Sequence, residues 1–227
     1  REVLILEDTW RWDFRFLRRL LEGDPHFSFT AFLSRRPGIY VQFAEPDSTV
    51  KLGSFPQSAT ELEWFDIIVL GDVNPTEWPE GLAPAIHRMV ADEGKSLIVI
   101  AGAGIRRFAE VPSLERLLPV EIGRDSGLTE GPIAVQPSPD GAGSPVFYTP
   151  GKAGPLAHWE QLPEMDRIYA PRRKRPAATV LLEAADRSNE FGNIIAVAEH
   201  TVGQGRVLYI GTDTLWKWQM LASADDE

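Results

Sequence analysis

The chain has 227 residues, a formal net charge of −10 and no cysteine. This length suits one domain with a sizeable core, and we predict a single domain over residues 1–227, excised from a longer protein. The acidic balance argues against a basic face that binds nucleic acid, and the lack of cysteine excludes disulfides, thiolate metal sites and cysteine nucleophiles. No apolar run approaches the roughly 20 residues that span a bilayer, so we expect membrane contact only through segments of the parent protein outside these residues.

The first half of the chain alternates short apolar runs with helical patterns. The runs Val3–Leu6, Ile67–Leu70 and Leu97–Ile100 predict strands that are buried on both faces. Arg11–Glu22 and Pro79–Asp92 carry apolar residues at helical spacing, and a glycine follows each of them closely, so we predict helices there.

The remaining patterns are weaker and more varied. Phe27–Leu33 alternates and predicts a strand, whereas Ser34–Ser58 is rich in proline, glycine and serine and predicts a long loop. Ile194–His200 and Arg206–Ile210 flank a Gly-Gln-Gly turn and predict a hairpin, and Val146–Tyr148 is a further candidate strand. The whole pattern predicts a flavodoxin-like α/β fold, with a doubly wound, mostly parallel sheet, helices on both faces and an antiparallel C-terminal extension.

Acidic residues follow three of the predicted strands, at Asp8, Asp72 and Asp213. The carboxyl ends of parallel strands meet at one edge of the sheet, called the crest below, so we expect these residues to lie there. Two interpretations remain open. The carboxylates cap the helices that follow, or they bind a cation such as Mg²⁺ in a hydrolase or ligand-sensing site that uses Asp72 and Asp213. No resident cofactor is predicted.

A strand-turn-helix with alternating glycines follows the strand Leu97–Ile100. Such a turn is where a nucleophile elbow would hold its reactive residue. The residue between Gly102 and Gly104 is Ala103, which cannot attack a carbonyl. We therefore interpret these three residues as a degenerate elbow, with a plain tight turn as the alternative, and we predict no catalytic residue.

Two pairs of tryptophans follow the first and the last predicted strands. Trp10 and Trp12 follow the first, and Trp216 and Trp218 follow the last, so the topology brings both pairs to the same end of the sheet. Tryptophan is enriched at interface hot spots, and we predict a ligand-binding or partner-binding surface there. The alternative is that at least half of these rings pack in the core.

Several segments resemble a known family. Leu4–Glu7 followed by Arg11–Leu20, then Asp66–Asp72, and finally Gly203–Leu208 with Gly211–Asp213 resemble the class I glutamine amidotransferase-like domains of large bacterial envelope proteins. The resemblance spans nearly the whole chain. It implies a membrane-anchored parent with a von Willebrand A-type module, and a place for this domain on the extracytoplasmic side of a bacterial membrane.

The resemblance does not extend to the chemistry of the family. The position of the family's catalytic cysteine is occupied by Ala103, so glutaminase activity is not expected. We therefore predict a non-catalytic interaction or scaffold domain, whose partners are other domains of the parent protein or other envelope proteins.

Overall fold

Thirteen strands and five α-helices make up the described part of the chain. The computed structural model describes residues 1–45, 50, 52–123, 126–147 and 162–224, with residues 221–224 described by their backbone alone. The strands are β1 (Glu2–Glu7), β2 (Ser28–Arg36), β3 (Ile39–Ala44), β4 (Ile67–Leu70), β5 (Ser96–Ile100), β6 (Val120–Glu121), β7 (Gly127–Ile133), β8 (Val135–Pro137), β9 (Met165–Ala170), β10 (Arg173–Lys174), β11 (Thr179–Asn189), β12 (Gly192–Val202) and β13 (Gly205–Ile210). The α-helices are α1 (Trp12–Glu22), α2 (Ala59–Leu62), α3 (Leu82–Ala91), α4 (Pro112–Glu115) and α5 (Trp216–Ala224), with 3-10 helices at Pro75–Glu77, Ala103–Glu110 and Pro145–Phe147.

Nine strands form one mixed sheet in the order β3-β2-β1-β4-β5-β13-β12-β11-β8. The four pairs from β2 to β13 are parallel, and the four remaining pairs, one at β3 and three from β13 to β8, are antiparallel. The predicted flavodoxin-like fold, a doubly wound, mostly parallel sheet with helices on both faces, is therefore wrong. Among the described residues 39% lie in strands and 24% in helices, and half of the pairings in the large sheet are antiparallel.

This error has two physical sources. The predicted loop Ser34–Ser58 contains β3, a half-exposed edge strand that is ordered by antiparallel pairing with β2 rather than by burial of its own residues. On the other side, β11 and β12 are eleven residues long each. Only part of each strand carries the apolar run that marks it in the sequence. The residues that follow the apolar run of β11 and those that begin β12 are exposed, so the sequence pattern does not indicate that they belong to strands.

Other predictions are confirmed. The three buried apolar strands are β1, β4 and β5, the first helix is α1, and the predicted hairpin is the antiparallel pair β12–β13. The strand predicted at Val146–Tyr148 is wrong, since Pro145–Phe147 is a 3-10 helix and Tyr148 lies outside the described residues.

The parallel strands are buried on both faces because alternate side chains enter two separate cores. In β1, Leu4 and Leu6 pack in one cluster with residues of α2 and α3, whereas Val3 and Ile5 pack in another with residues of α1. A third cluster joins β7, β9, β11 and β12 in the antiparallel half. This arrangement brings the carboxyl ends of β1, β4, β5 and β13 to the crest.

The β12–β13 turn requires glycine at one position. Gly203 has a φ of +56°, and a Cβ on it would lie 2.0 Å from the carbonyl oxygen of Ala91 at the end of α3. The next residue, Gln204, donates its backbone N–H to the same oxygen at 2.9 Å. The hairpin is therefore fastened to α3, which helps to hold β13 beside β5.

Candidate functional site

A buried ion pair links the ends of β1 and β5 at the crest. Nη2 of Arg11 lies 2.8 Å from Oε2 of Glu7, and the two side chains are only 8% and 3% exposed. Arg11 also donates to the carbonyl oxygens of Ala101 at 2.9 Å and Ile100 at 3.3 Å. Burial raises the pKa of Glu7 above its ordinary value, and the Arg11 guanidinium opposes that shift. Arg11 therefore binds three acceptors that come from two strand ends.

Asp72 joins three loops of the crest through its own hydrogen bonds. Its Oδ1 accepts from the backbone N–H of Gly104 at 2.6 Å, and its Oδ2 accepts from the hydroxyl of Thr9 at 3.1 Å. Its backbone N–H donates to Glu7 at 2.9 Å. Each carboxylate oxygen of Asp72 thus already has a donor within the protein, and one of these donors belongs to the first turn of the 3-10 helix after β5.

Two glycines make room for these polar side chains. A Cβ on Gly71 would lie 2.0 Å from Oε2 of Glu7, and a Cβ on Gly102 would lie 2.4 Å from Cγ of Asp72. The next residue, Ala103, is exposed. Among the residues described here, no residue other than glycine has a positive φ, so Ala103 lacks the backbone strain expected of a nucleophile elbow. The glycines of this turn therefore serve close packing.

The other two predicted crest carboxylates have separate partners. Asp213 accepts from the Tyr169 hydroxyl at 3.2 Å, and its other oxygen lies 3.4 Å from Nε of Arg167. Asp8 accepts from the backbone N–H of Asn74 at 2.6 Å. Across the described ranges, no three His, Cys, Asp or Glu side chains are grouped so that they could hold a metal ion. The predicted carboxylates thus follow crest strands, but each is engaged by its own donors.

Asp13 is a buried carboxylate in the first turn of α1, beside the start of α5. It is 7% exposed, and its Oδ2 has no hydrogen-bond partner. Burial raises the pKa of Asp13 to about 6, with a further rise from Asp213, while Arg11 and the backbone N–H of Trp216 lower it. At neutral pH the protein therefore holds an incompletely compensated negative charge at this position.

An exposed apolar surface lies along α1 and α5. Trp12, Phe16 and Leu20 recur every fourth residue on α1, and Trp216 and Met220 do so on α5, so each set lies on one side of its helix. The Trp216 ring lies 5.6 Å from the Trp12 ring and 6.2 Å from the Phe16 ring. Trp12, Leu20 and Met220 are each more than half exposed. We call these five residues the aromatic face.

The four predicted tryptophans do not share one surface. Trp12 and Trp216 belong to the aromatic face. Trp10 is exposed but packs against two phenylalanine rings, at centroid distances of 5.8 and 6.3 Å. Trp218 donates its indole N–H to a backbone carbonyl at 2.8 Å and packs against the core of the antiparallel half. Only one tryptophan of each predicted pair therefore contributes to the aromatic face.

Sequence reasoning missed Arg11, Asp13, Phe16, Leu20 and Met220. The spacing of Phe16 and Leu20 from Trp12 is a signal that was available in the sequence. Arg11 and Asp13 gave none, because a charged residue at a helix start is ordinarily solvated and only the tertiary structure shows that these two are buried.

Comparison with solved structures supports the fold. STM1381, described as a cytoplasmic protein of Salmonella typhimurium LT2, matches with a TM-score of 0.60 at 15% identity, and the match covers 98% of this chain and 96% of that one. STM3548, described as a cytoplasmic protein of Salmonella typhimurium, matches with a TM-score of 0.57 at 14% identity and covers 100% and 98%. No protein-family model and no curated protein matches the sequence. At these identities the likeness shows a shared fold and nothing about function.

Proposed function

We propose that the chain is a non-catalytic, class I amidotransferase-like domain that serves as an interaction module of a larger bacterial envelope protein. The sequence has no cysteine, and the turn after β5 presents an exposed Ala103 where the family carries its nucleophile. At the crest, Glu7, Arg11 and Asp72 are bound to one another and to the backbone. These contacts support a structural use of the crest residues.

The observation that carries the proposal is the aromatic face. Large contiguous apolar patches are uncommon on monomeric proteins, and those that occur are frequently contact sites. Trp12 is 52% exposed and Leu20 is 57% exposed, although neighbouring positions of α1 such as Phe14 are buried in the core. A partner that covered these side chains would remove their apolar surface from water, which is the main favourable term in association.

Charges beside the aromatic face define the chemistry of the partner. The Arg15 guanidinium lies over the Trp12 ring at 5.1 Å, and both Arg15 and Arg19 are exposed on α1. Both cations lie on the surface of a chain whose formal net charge is −10. We therefore infer a protein partner with an apolar contact surface and acidic residues at its rim, since complementary charges guide association and exclude wrong partners.

Site-specific photocrosslinking tests this assignment in cells that make the full-length protein. Benzoylphenylalanine in place of Leu20 is expected to give one discrete crosslinked species, because Leu20 is exposed on the aromatic face. The same residue in place of Phe191 is the matched control, since Phe191 is 45% exposed but lies on the β11–β12 turn. Adding Arg15→Glu and Arg19→Glu is expected to lower the yield at position 20 about tenfold. Equal yields at the two positions, or none at position 20, would contradict the proposal.

A glutaminase assay tests the non-catalytic part. The purified protein incubated with glutamine is expected to release no ammonia above the buffer background, because it offers no thiol nucleophile. A signal above that background would show that the domain has kept an activity through other residues.

The extracytoplasmic location rests on the resemblance alone. STM1381 and STM3548 are described as cytoplasmic proteins and give it no support. In the part of the chain that the structure describes, no helix is long and apolar enough to cross a bilayer.

A further inference from the structure

A cleft of about 630 Å³ lies beside the edge strand β3. The segment 53–57 and the turn Glu77–Pro79 form its other walls. Pockets that hold small molecules typically measure about 300–1,000 Å³, so this cleft is of that size. None of the residues that line it belongs to the aromatic face.

Aromatic rings form much of the cleft. The rings of Tyr40 and Phe55 are stacked, with centroids 4.1 Å apart and an angle of 18° between their planes. The Trp78 ring lies 6.4 Å from Phe55, and its indole Nε1 is buried without a hydrogen-bond acceptor. Because that atom is out of contact with solvent, a ligand in the cleft would meet the carbon atoms of the Trp78 ring rather than its N–H.

The charge of the cleft is negative. Glu77 is the single charged residue among the described residues that line it. Oε1 of Glu77 accepts from the side-chain amide of Asn74 at 2.6 Å, which fixes the carboxylate at the rim. Burial, followed by the charges of Asp8 and Glu77, raises the pKa of Tyr40 to about 12. Of these causes, the carboxylates of Asp8 and Glu77 are the ones that make the potential at the Tyr40 ring negative.

Two glutamines at the cleft contribute further acceptors. Gln42 donates its amide to the carbonyl oxygen of Leu52 at 2.8 Å, and Gln57 donates to that of Phe55 at 2.8 Å. These contacts use the amide nitrogens and orient the side-chain carbonyl oxygens as neutral acceptors. With Glu77, they make a rim that is richer in acceptors than in donors.

We propose that this cleft binds a small organic cation. The positive charge would lie against the rings of Tyr40 and Trp78 and near the carboxylate of Glu77, where the ring quadrupoles and the carboxylate act in the same direction. A neutral sugar would donate hydroxyl groups to the Glu77 carboxylate but would leave its negative charge without a cationic partner among the described residues, so we expect a cation to bind more tightly.

Choline and 3,3-dimethylbutan-1-ol are matched probes for this proposal, because they have the same shape and hydroxyl group but differ in charge. Titration of the isotope-labelled protein, followed through the indole N–H signal of Trp78, measures both affinities. A Trp78→Phe variant assigns that signal. Choline is expected to bind about tenfold more tightly than its neutral isostere, in keeping with the strength of a cation held by an aromatic ring and a carboxylate.

Glu77→Gln provides the second arm of the test. Glutamine keeps the carbonyl oxygen that accepts from Asn74, so the rim is expected to stay folded, and the backbone signals elsewhere check this directly. The variant is expected to lose most of the preference for choline and to keep the affinity for the neutral isostere. Equal affinities in the unmodified protein, no shift of the Trp78 signal up to about 20 mM choline, or a shift with glucose but not with choline would each overturn the proposal.

Discussion

Replacing Arg11 with methionine is expected to lower the free energy of unfolding by about 3–5 kcal/mol, because it leaves a buried carboxylate without its partner. The Glu7 side chain is 3% exposed, so water cannot solvate it in place of the guanidinium. The carbonyl oxygens of Ile100 and Ala101 lose a donor at the same time. Chemical denaturation of the purified protein at neutral pH measures this loss.

Arg18→Met is the matched control. Arg18 and Glu22 form another pair four residues apart, with a similar distance of 2.9 Å, but their side chains are 29% and 45% exposed. Its removal is expected to cost about 1 kcal/mol, because the pair is partly exposed and the guanidinium also lies over the Phe43 ring. The double variant Glu7→Gln with Arg11→Met is expected to be more stable than Arg11→Met alone, since it leaves no unpaired charge. Equal losses for Arg11→Met and Arg18→Met would show that burial does not govern the strength of the crest pair.

Asp13→Asn is expected to stabilise the protein by about 3 kcal/mol at neutral pH. Folding raises the pKa of Asp13 from 3.8 to about 6, chiefly through burial, and each pKa unit corresponds to about 1.4 kcal/mol. Asparagine keeps the shape of the side chain and removes the charge. Denaturation of both proteins over a range of pH measures the difference.

The pH dependence of that difference identifies its cause. The folded state holds the Asp13 proton more tightly than the unfolded state, so the stabilisation from the protonated form is complete below about pH 4 and is lost as the pH rises through about 6. The variant and the unmodified protein are therefore expected to converge in acid and to separate across this window. Asp213→Asn removes the neighbouring like charge and is expected to move the window to lower pH. Parallel stability curves would rule out titration of Asp13 as the origin.

The sequence predicts the parallel centre of the fold well and its antiparallel sides poorly. β1, β4 and β5 are buried on both faces, so their apolar runs are unbroken and mark them by composition alone. β3 gains its order from pairing with β2 across the Pro37-Gly38 turn, and the loop prediction overlooked the β-branched and aromatic residues of Ile39–Ala44. The long exposed ends of β11 and β12 likewise depend on each other across the hairpin. Local composition therefore indicates burial but not pairing.

The sequence likewise predicts where the residues of the candidate site lie but not which groups they contact. Topology alone places Asp72 and Asp213 at the ends of crest strands and brings Trp12 near Trp216, as predicted. It does not say which donors each carboxylate meets, because Gly104 approaches Asp72 only after the chain has folded. The aromatic cleft is beyond sequence reasoning for the same reason, since Tyr40 and Trp78 come from distant segments with no shared motif.

The position of β13 has a consequence for how the protein is made. β5 pairs with β4 on one side and with β13 on the other, yet more than 100 residues separate β5 from β13 along the chain. While the ribosome is still synthesising the chain, the second edge of β5 stays open until Gly205–Ile210 has emerged. An apolar strand with a free edge is a template for pairing with another chain, and closing such a long loop is slow. The nascent protein is thus prone to aggregation through the free edge of β5 until β13 has paired with it.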